Sequence, residues 1–165
     1  MIAVGGGRDV LSAYLFGFRE ITAVEINPVF LEFLTDRFRD FNHLADLTGV
    51  RLVHDDARSW FASSGRNAGF DLVQMSLTDT WAATGVGAFS LTENGLYTVQ
   101  GWRYFLASLA PNGVFTVSRW RSPDNIDESG RLLSLAKATL LGKGVENPAA
   151  HLFLASTEDL ANLKC

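Results

Sequence analysis

Val4-Gly5-Gly6-Gly7-Arg8-Asp9-Val10 joins a short β-branched run, Ile2-Ala3-Val4, to a segment of helical period that opens at Asp9. Glycines between a strand and a helix let the backbone turn tightly, and they leave no Cβ atoms in the way of an approaching ligand. The free N–H groups at the start of the following helix can receive polar or anionic groups. A plain tight turn uses the same residues, so the pattern around the triplet decides its reading.

Outward from this stretch, apolar runs alternate with segments of helical period. Strands are expected at Ile2–Val4, Ile21–Glu25, Val50–His54, Phe70–Ser76, Gly113–Ser118 and His151–Ala155. Helices are expected at Asp9–Phe16, Pro28–Phe38, Ala57–Ser63, Leu96–Leu109 and Ser129–Leu141. Strands that are apolar throughout, with helices between them, belong to a parallel sheet covered on both faces. The crossover rule leaves the doubly wound open sheet as the commonest arrangement. The expected fold is therefore α/β, a doubly wound, mainly parallel Rossmann-like sheet with helices on both faces. Residues 1–165 read as one domain, with a core over 1–120 and a C-terminal helix and strand over 129–156. Met1 stands where the middle of the first strand belongs, and the helical opening Thr157-Glu158-Asp159-Leu160 stops at once, so further sequence is expected at both ends. Leu77–Asn94 and Arg121–Glu128 have no clear period and read as loops. A long loop directly after a central strand often carries function.

The apolar fraction of 47% and the charged fraction of 19% are those of a globular domain. A net charge of −4 without a basic stripe argues against nucleic acid as the partner, and Arg37, Arg39, Arg119 and Arg121 read as solvated surface. The sole cysteine, Cys165, excludes an internal disulfide and fits a reducing, cytoplasmic setting. No apolar run approaches the ~20 residues that span a bilayer, and no basic region precedes the glycines as in a signal peptide.

Acids stand at successive strand ends, where ligands of open α/β sheets gather. Glu25 closes the second strand, in Ala23-Val24-Glu25-Ile26-Asn27. There it is placed to accept both ribose hydroxyls of an adenosine, or to start a helix as an acid favoured by the macrodipole. Asp55 and Asp56 close the third, followed by Ala57. Asp56 is placed to accept from an adenine amino group, or either acid caps the next helix. After the fourth strand, Ser76-Leu77-Thr78-Asp79-Thr80-Trp81 faces the reacting group. Asp79 is the general-base candidate, or a turn former, and Trp81 a wall of the pocket. Glu93 and Tyr97 are candidate substrate contacts, although Tyr97 also fits the core face of a helix. His43, His54 and His151 are scattered, so no metal site is expected. Ser76 lacks the context of a nucleophile elbow.

In this order, Gly5-Gly6-Gly7, Glu25-Ile26-Asn27, Asp55-Asp56-Ala57, Phe70-Asp71-Leu72 and Leu109-Ala110-Pro111-Asn112-Gly113 resemble the spermidine and spermine synthases, over Ile2 to Ser118. Each motif is shared with class I methyltransferases, while Glu25-Ile26-Asn27-Pro28 and the fourth strand lean toward the aminopropyltransferases. The stretch from Asp79 to Asn94 is also similar to spermidine synthase-like domains attached to membrane-spanning segments. That likeness implies such segments outside this sequence and a place at the cytoplasmic face of a membrane. By the resemblance, Gly5, Gly7 and Glu25 hold the nucleoside and Asp56 the adenine, with Gly6, Asp9, Ile26, Asp55 and Ala57 beside them. It further implies decarboxylated S-adenosylmethionine as donor and an amine as acceptor; the methyltransferase reading takes S-adenosylmethionine itself.

The chain departs from the family in two places. The family's Asp-x-x-Asp becomes Ser76-Leu77-Thr78-Asp79, so only the second acid remains. An amine of pKa near ~10 must lose a proton before it attacks carbon, and losing a general base costs about 10² to 10⁴ in rate. Second, the acid after the glycines is displaced by one residue, as Arg8-Asp9. Arg8 either meets a carboxylate, which S-adenosylmethionine carries and its decarboxylated form lacks, or points to solvent. Aminopropyl transfer is thus the first expectation and S-adenosylmethionine-dependent methyl transfer the second. The third is a nucleoside-binding or interaction domain without turnover. A nicotinamide site fits less well, since Val10 replaces the third glycine or alanine of that fingerprint. Open strand edges invite a partner chain, so a homodimer is a further expectation.

Overall fold

A computed structural model describes residues 1–78, 93–119 and 127–155, without the side chains of 93, 94, 127 and 128. Helix α1 (Arg8–Leu15) starts at Gly7, whose φ of 81° lies in the left-handed region, and buries Val10 and Ala13. Strand β1 (Ile21–Glu25) follows. Asn27 then opens α2 (Pro28–Glu32), its side chain accepting from the Val29 N–H at 3.0 Å. The helix expected over Pro28–Phe38 is divided, because α2 passes into a π-helical turn, Phe33–Arg37, and then into α3 (Arg39–Asn42). Within that turn the Thr35 hydroxyl bonds back to the Leu31 carbonyl at 3.0 Å, a contact that bends helices. Next come β2 (Val50–His54), α4 (Ala57–Ala62), β3 (Phe70–Ser76), α5 (Glu93–Leu96), α6 (Val99–Ala107), β4 (Leu109–Ser118) and α7 (Asp127–Leu141).

β1 and β2 pair in parallel from Ile21↔Val50 to Glu25↔His54, and β3 pairs in parallel with β4. Ile2 forms parallel bridges to both Val24 and Met75, and so links the two pairs. Its N–H donates to the Gln74 carbonyl at 2.8 Å, while the Ala3 N–H donates to Val24 at 3.0 Å. Alternate residues of a strand face opposite sides, and the buried residues divide accordingly. Ile21 and Ala23 pack with Val10, Ala13, Leu34 and Leu44, whereas Val24, Val73 and Met75 pack with Trp60, Phe61, Trp102 and Phe105. The protein is therefore a mixed α/β structure with short parallel strands and a core on either side of them.

Four further expected elements differ. The strand at Ile2–Val4 shrinks to a bridge at Ile2, because Ala3 turns into the left-handed region (φ 59°) and leads the chain into the glycine loop. The helix expected over Leu96–Leu109 ends at Leu96 and restarts at Val99, where the Thr98 side chain accepts from the Gly101 N–H at 3.0 Å. Strand β4 then takes in Pro111-Asn112-Gly113, with a register shift opposite Phe70 and Leu72. At His151–Ala155 no strand forms: Pro148 begins a 3-10 turn through His151, and residues 152–155 find no ladder partner among the described residues. Phe153 is 93% exposed there, so an apolar run without a neighbouring edge stays outside the sheet. Among the described residues no helix is long and apolar enough to cross a membrane.

Gly7 is held by its conformation and by its neighbour. A Cβ built there would collide with the Cδ1 atom of Leu44, which is fully buried. Gly7→Ala is expected to lower the unfolding free energy by about 1–3 kcal/mol. Gly6 has nothing within 4 Å of such a Cβ, and Gly6→Ala is expected to shift stability by less than about 0.5 kcal/mol. Urea unfolding of the two variants checks the difference.

Candidate functional site

A cleft of about 420 Å³ opens where the Ile2 segment, β1, β2 and β3 end. That is the end of a parallel sheet at which ligands of this fold class gather. Of the residues singled out in the sequence, Gly5, Gly6, Asp9, Glu25, Ile26, Asp56, Ala57 and Ser76 line it. Gly7 and Asp55 do not: Gly7 is turned against Leu44, and the exposed Asp55 donates its backbone N–H to the Glu25 carbonyl at 3.1 Å. Asp79 and Trp81 lie outside the described residues, and Glu93 is described only as the first residue of α5.

Glu25 is 5% exposed, and its carboxylate already serves the backbone. Oε2 accepts from the Val4 N–H at 2.8 Å and the Gly5 N–H at 3.2 Å, and Oε1 accepts from the Asn27 N–H at 2.9 Å. A carboxylate offers about four acceptor directions, so Glu25 clamps the glycine loop to the end of β1 with little capacity left over. Asn27, not Glu25, caps α2. Asp56 both lines the cleft and caps α4, its Oδ1 accepting from the Ser59 N–H at 2.8 Å. The two readings of Asp56 are therefore compatible, since the cap occupies only one of its oxygens.

The floor near β3 carries contacts that the sequence did not disclose. Ser76 accepts from the Gln74 side-chain amide at 3.0 Å. Leu77 follows with φ 51°, and Ala3, which also lines the cleft, has φ 59°. Non-glycine residues in this region cost about 1–3 kcal/mol each and collect at ligand sites. Thr78 is buried and shares a short hydrogen bond with the Tyr97 hydroxyl, to which Arg119 Nη1 donates at 3.0 Å. The Arg119 guanidinium also lies 4.5 Å from the centre of the Tyr97 ring. Tyr97 thus supports the wall through Thr78 and does not itself line the cleft. Among the cleft residues, Phe30 and Ile26 are 43% and 41% exposed; Phe30 belongs to α2, which buries none of its residues.

Arg8 and Asp9 form the remaining charged edge. Arg8 Nη2 lies 3.1 Å from Asp9 Oδ1, and the two side chains are 74% and 16% exposed. Compared with models of known protein families and with curated proteins, the chain matches none.

Proposed function

We propose that the domain is a doubly wound, Rossmann-like transferase fold that binds the adenosyl part of a sulfonium donor in this cleft. The observation that carries the reading is the gathering of Gly5, Gly6, Glu25, Asp56 and Ser76 around one cavity of about 420 Å³ at the strand ends. Asp56 offers a carboxylate oxygen to an adenine amino group, the glycine loop admits the ribose, and Ile26 and Phe30 supply apolar flanks. By resemblance to the spermidine synthases, the first reaction is transfer of an aminopropyl group from decarboxylated S-adenosylmethionine to an amine. The amine nitrogen attacks the carbon next to sulfur, the C–S bond breaks, and its electron pair neutralises the sulfonium as methylthioadenosine leaves. The proton passes to a base, for which Asp79 is the candidate. Positioning supplies much of the rate in such an in-line displacement.

Methyl transfer from S-adenosylmethionine is the second reading. Arg8 at the cleft and Ser76 in place of an acid favour it. A nucleoside-binding domain without turnover is the third, and detectable transfer to any amine of a panel dismisses it. A homodimer and attachment to membrane-spanning segments belong to the same proposal and rest on the resemblance.

Calorimetric titration with methylthioadenosine tests the shared part of these readings. Wild type is expected to bind. Asp56→Ser keeps a good helix cap but draws the acceptor back from the adenine, and should weaken binding about tenfold. Failure of the wild type to bind methylthioadenosine, S-adenosylmethionine or its decarboxylated form sinks the proposal.

A further inference from the structure

With adenine beside Asp56 and the ribose at the glycine loop, the β3 end of the cleft, Ser76–Thr78, is left for the acceptor. Among the described residues, the charged side chains of the cavity, Arg8, Asp9, Glu25 and Asp56, all belong to other segments, and the polar side chains at this end are hydroxyls. Ser76 Oγ accepts from the Gln74 amide at 3.0 Å, so its own hydrogen is left to offer. Thr78 Oγ1 shares its hydrogen bond with the Tyr97 hydroxyl, which itself accepts from Arg119 Nη1 at 3.0 Å. The guanidinium also lies 4.5 Å from the centre of the Tyr97 ring. A cation therefore stands behind the Thr78–Tyr97 pair, and hydrogen bonds in a chain polarise one another. Such a wall favours negative charge in front of it. An ammonium would bring only donors and a second positive charge, whereas a carboxylate brings acceptors and the opposite charge. Nor does any carboxylate stand at this end, among the described residues, to take a proton from an amine. A carboxylate nucleophile, ionised above its pKa of about 4, has none to lose.

We infer that the acceptor is a small-molecule carboxylate, held through one oxygen by the Ser76 and Thr78 hydroxyls, with Tyr97 and Arg119 as positioning residues behind Thr78. The inference rests on the adenosyl reading of the cleft, and it names a carboxylate in place of the amine that the resemblance implies. The second carboxylate oxygen attacks the carbon bound to the sulfonium. An O–C bond forms as the C–S bond breaks, and the electron pair of the broken bond neutralises the sulfur. An ester and a neutral thioether result, and no proton moves.

Transfer is measured with S-adenosylmethionine and with its decarboxylated form, to butyrate against butylamine and to benzoate against benzylamine, with the products identified by mass spectrometry. Wild type is expected to esterify the carboxylates about tenfold faster than it alkylates the amines. Ser76→Ala and Tyr97→Phe should each raise the KM for the carboxylate about tenfold and leave methylthioadenosine bound as in wild type. If Tyr97→Phe does not fold, Ser76→Ala decides alone, since it removes a single half-buried hydroxyl. Amines alkylated faster than carboxylates, no ester from either acid, or a Ser76→Ala variant with the wild-type KM overturns the inference. If methylthioadenosine still binds wild type in that case, the adenosyl reading stands without it. If it does not bind, and neither donor does, both fall together.

Discussion

Replacing Glu25 with alanine is expected to lower the unfolding free energy by about 3–5 kcal/mol, the largest loss of any single change at the cleft. Its carboxylate receives the N–H groups of Val4, Gly5 and Asn27, and Val4 is buried. Alanine would leave these donors without an acceptor, and an unsatisfied buried donor costs about 1–3 kcal/mol. Release of a charge held out of water offsets part of that sum. Glu25→Gln keeps the length and one acceptor oxygen but turns an NH₂ group toward N–H donors, so an intermediate loss is expected. Urea unfolding followed by near-ultraviolet circular dichroism orders the three proteins. If Glu25→Ala unfolds at the wild-type midpoint, the clamp does not hold the loop.

The same contacts change what a binding experiment on Glu25 can mean. A variant that loses the clamp loses the loop's shape, and ligand affinity falls with it whether or not Glu25 ever touches a ribose. The decisive comparison is therefore made on the Glu25→Gln variant, at a temperature where unfolding shows it to be folded.

The residues of β1, β2 and β3 were legible to the last position, as Ile21–Glu25, Val50–His54 and Phe70–Ser76. Their legibility has a physical cause: β-branched and aromatic residues favour strands, and each run starts directly after a charged residue or a glycine, Glu20, Gly49 and Gly69. The ends of these strands carried the acids, so Glu25, Asp56 and Ser76 could be expected near one another once the strands were taken as parallel. What the sequence hid depends on contacts made by other segments. The left-handed turns at Ala3 and Leu77 leave no trace in residue type, since neither is glycine or asparagine. The run His151–Ala155 has the composition of a strand, but strand formation also needs an open edge to pair with. The pairing of Thr78 with Tyr97 joins residues 19 positions apart, which no local pattern records.

Ser76→Asp is expected to raise transfer to an amine acceptor by about 10² to 10⁴. Ser76 lines the cleft at the end of β3, half-buried, and its hydroxyl accepts from the Gln74 amide at 3.0 Å. A carboxylate there would keep Gln74 as a donor and would add a base where the attacking nitrogen must shed its proton. The group carried by the donor does not alter this step, so the prediction holds for aminopropyl and methyl transfer alike. A half-buried charge costs stability, and a loss of about 1–3 kcal/mol is expected alongside the gain in rate. Single-turnover rates with a fixed donor and a panel of amines, measured on Ser76→Asp and Ser76→Asn, check the result. Asparagine has the shape of aspartate without its proton affinity. Equal gains in both variants would assign the effect to packing, whereas a gain confined to aspartate assigns it to proton removal. No gain in either would mean that the nucleophile arrives without a proton to lose, and the amine acceptor would have to be given up for an anionic one.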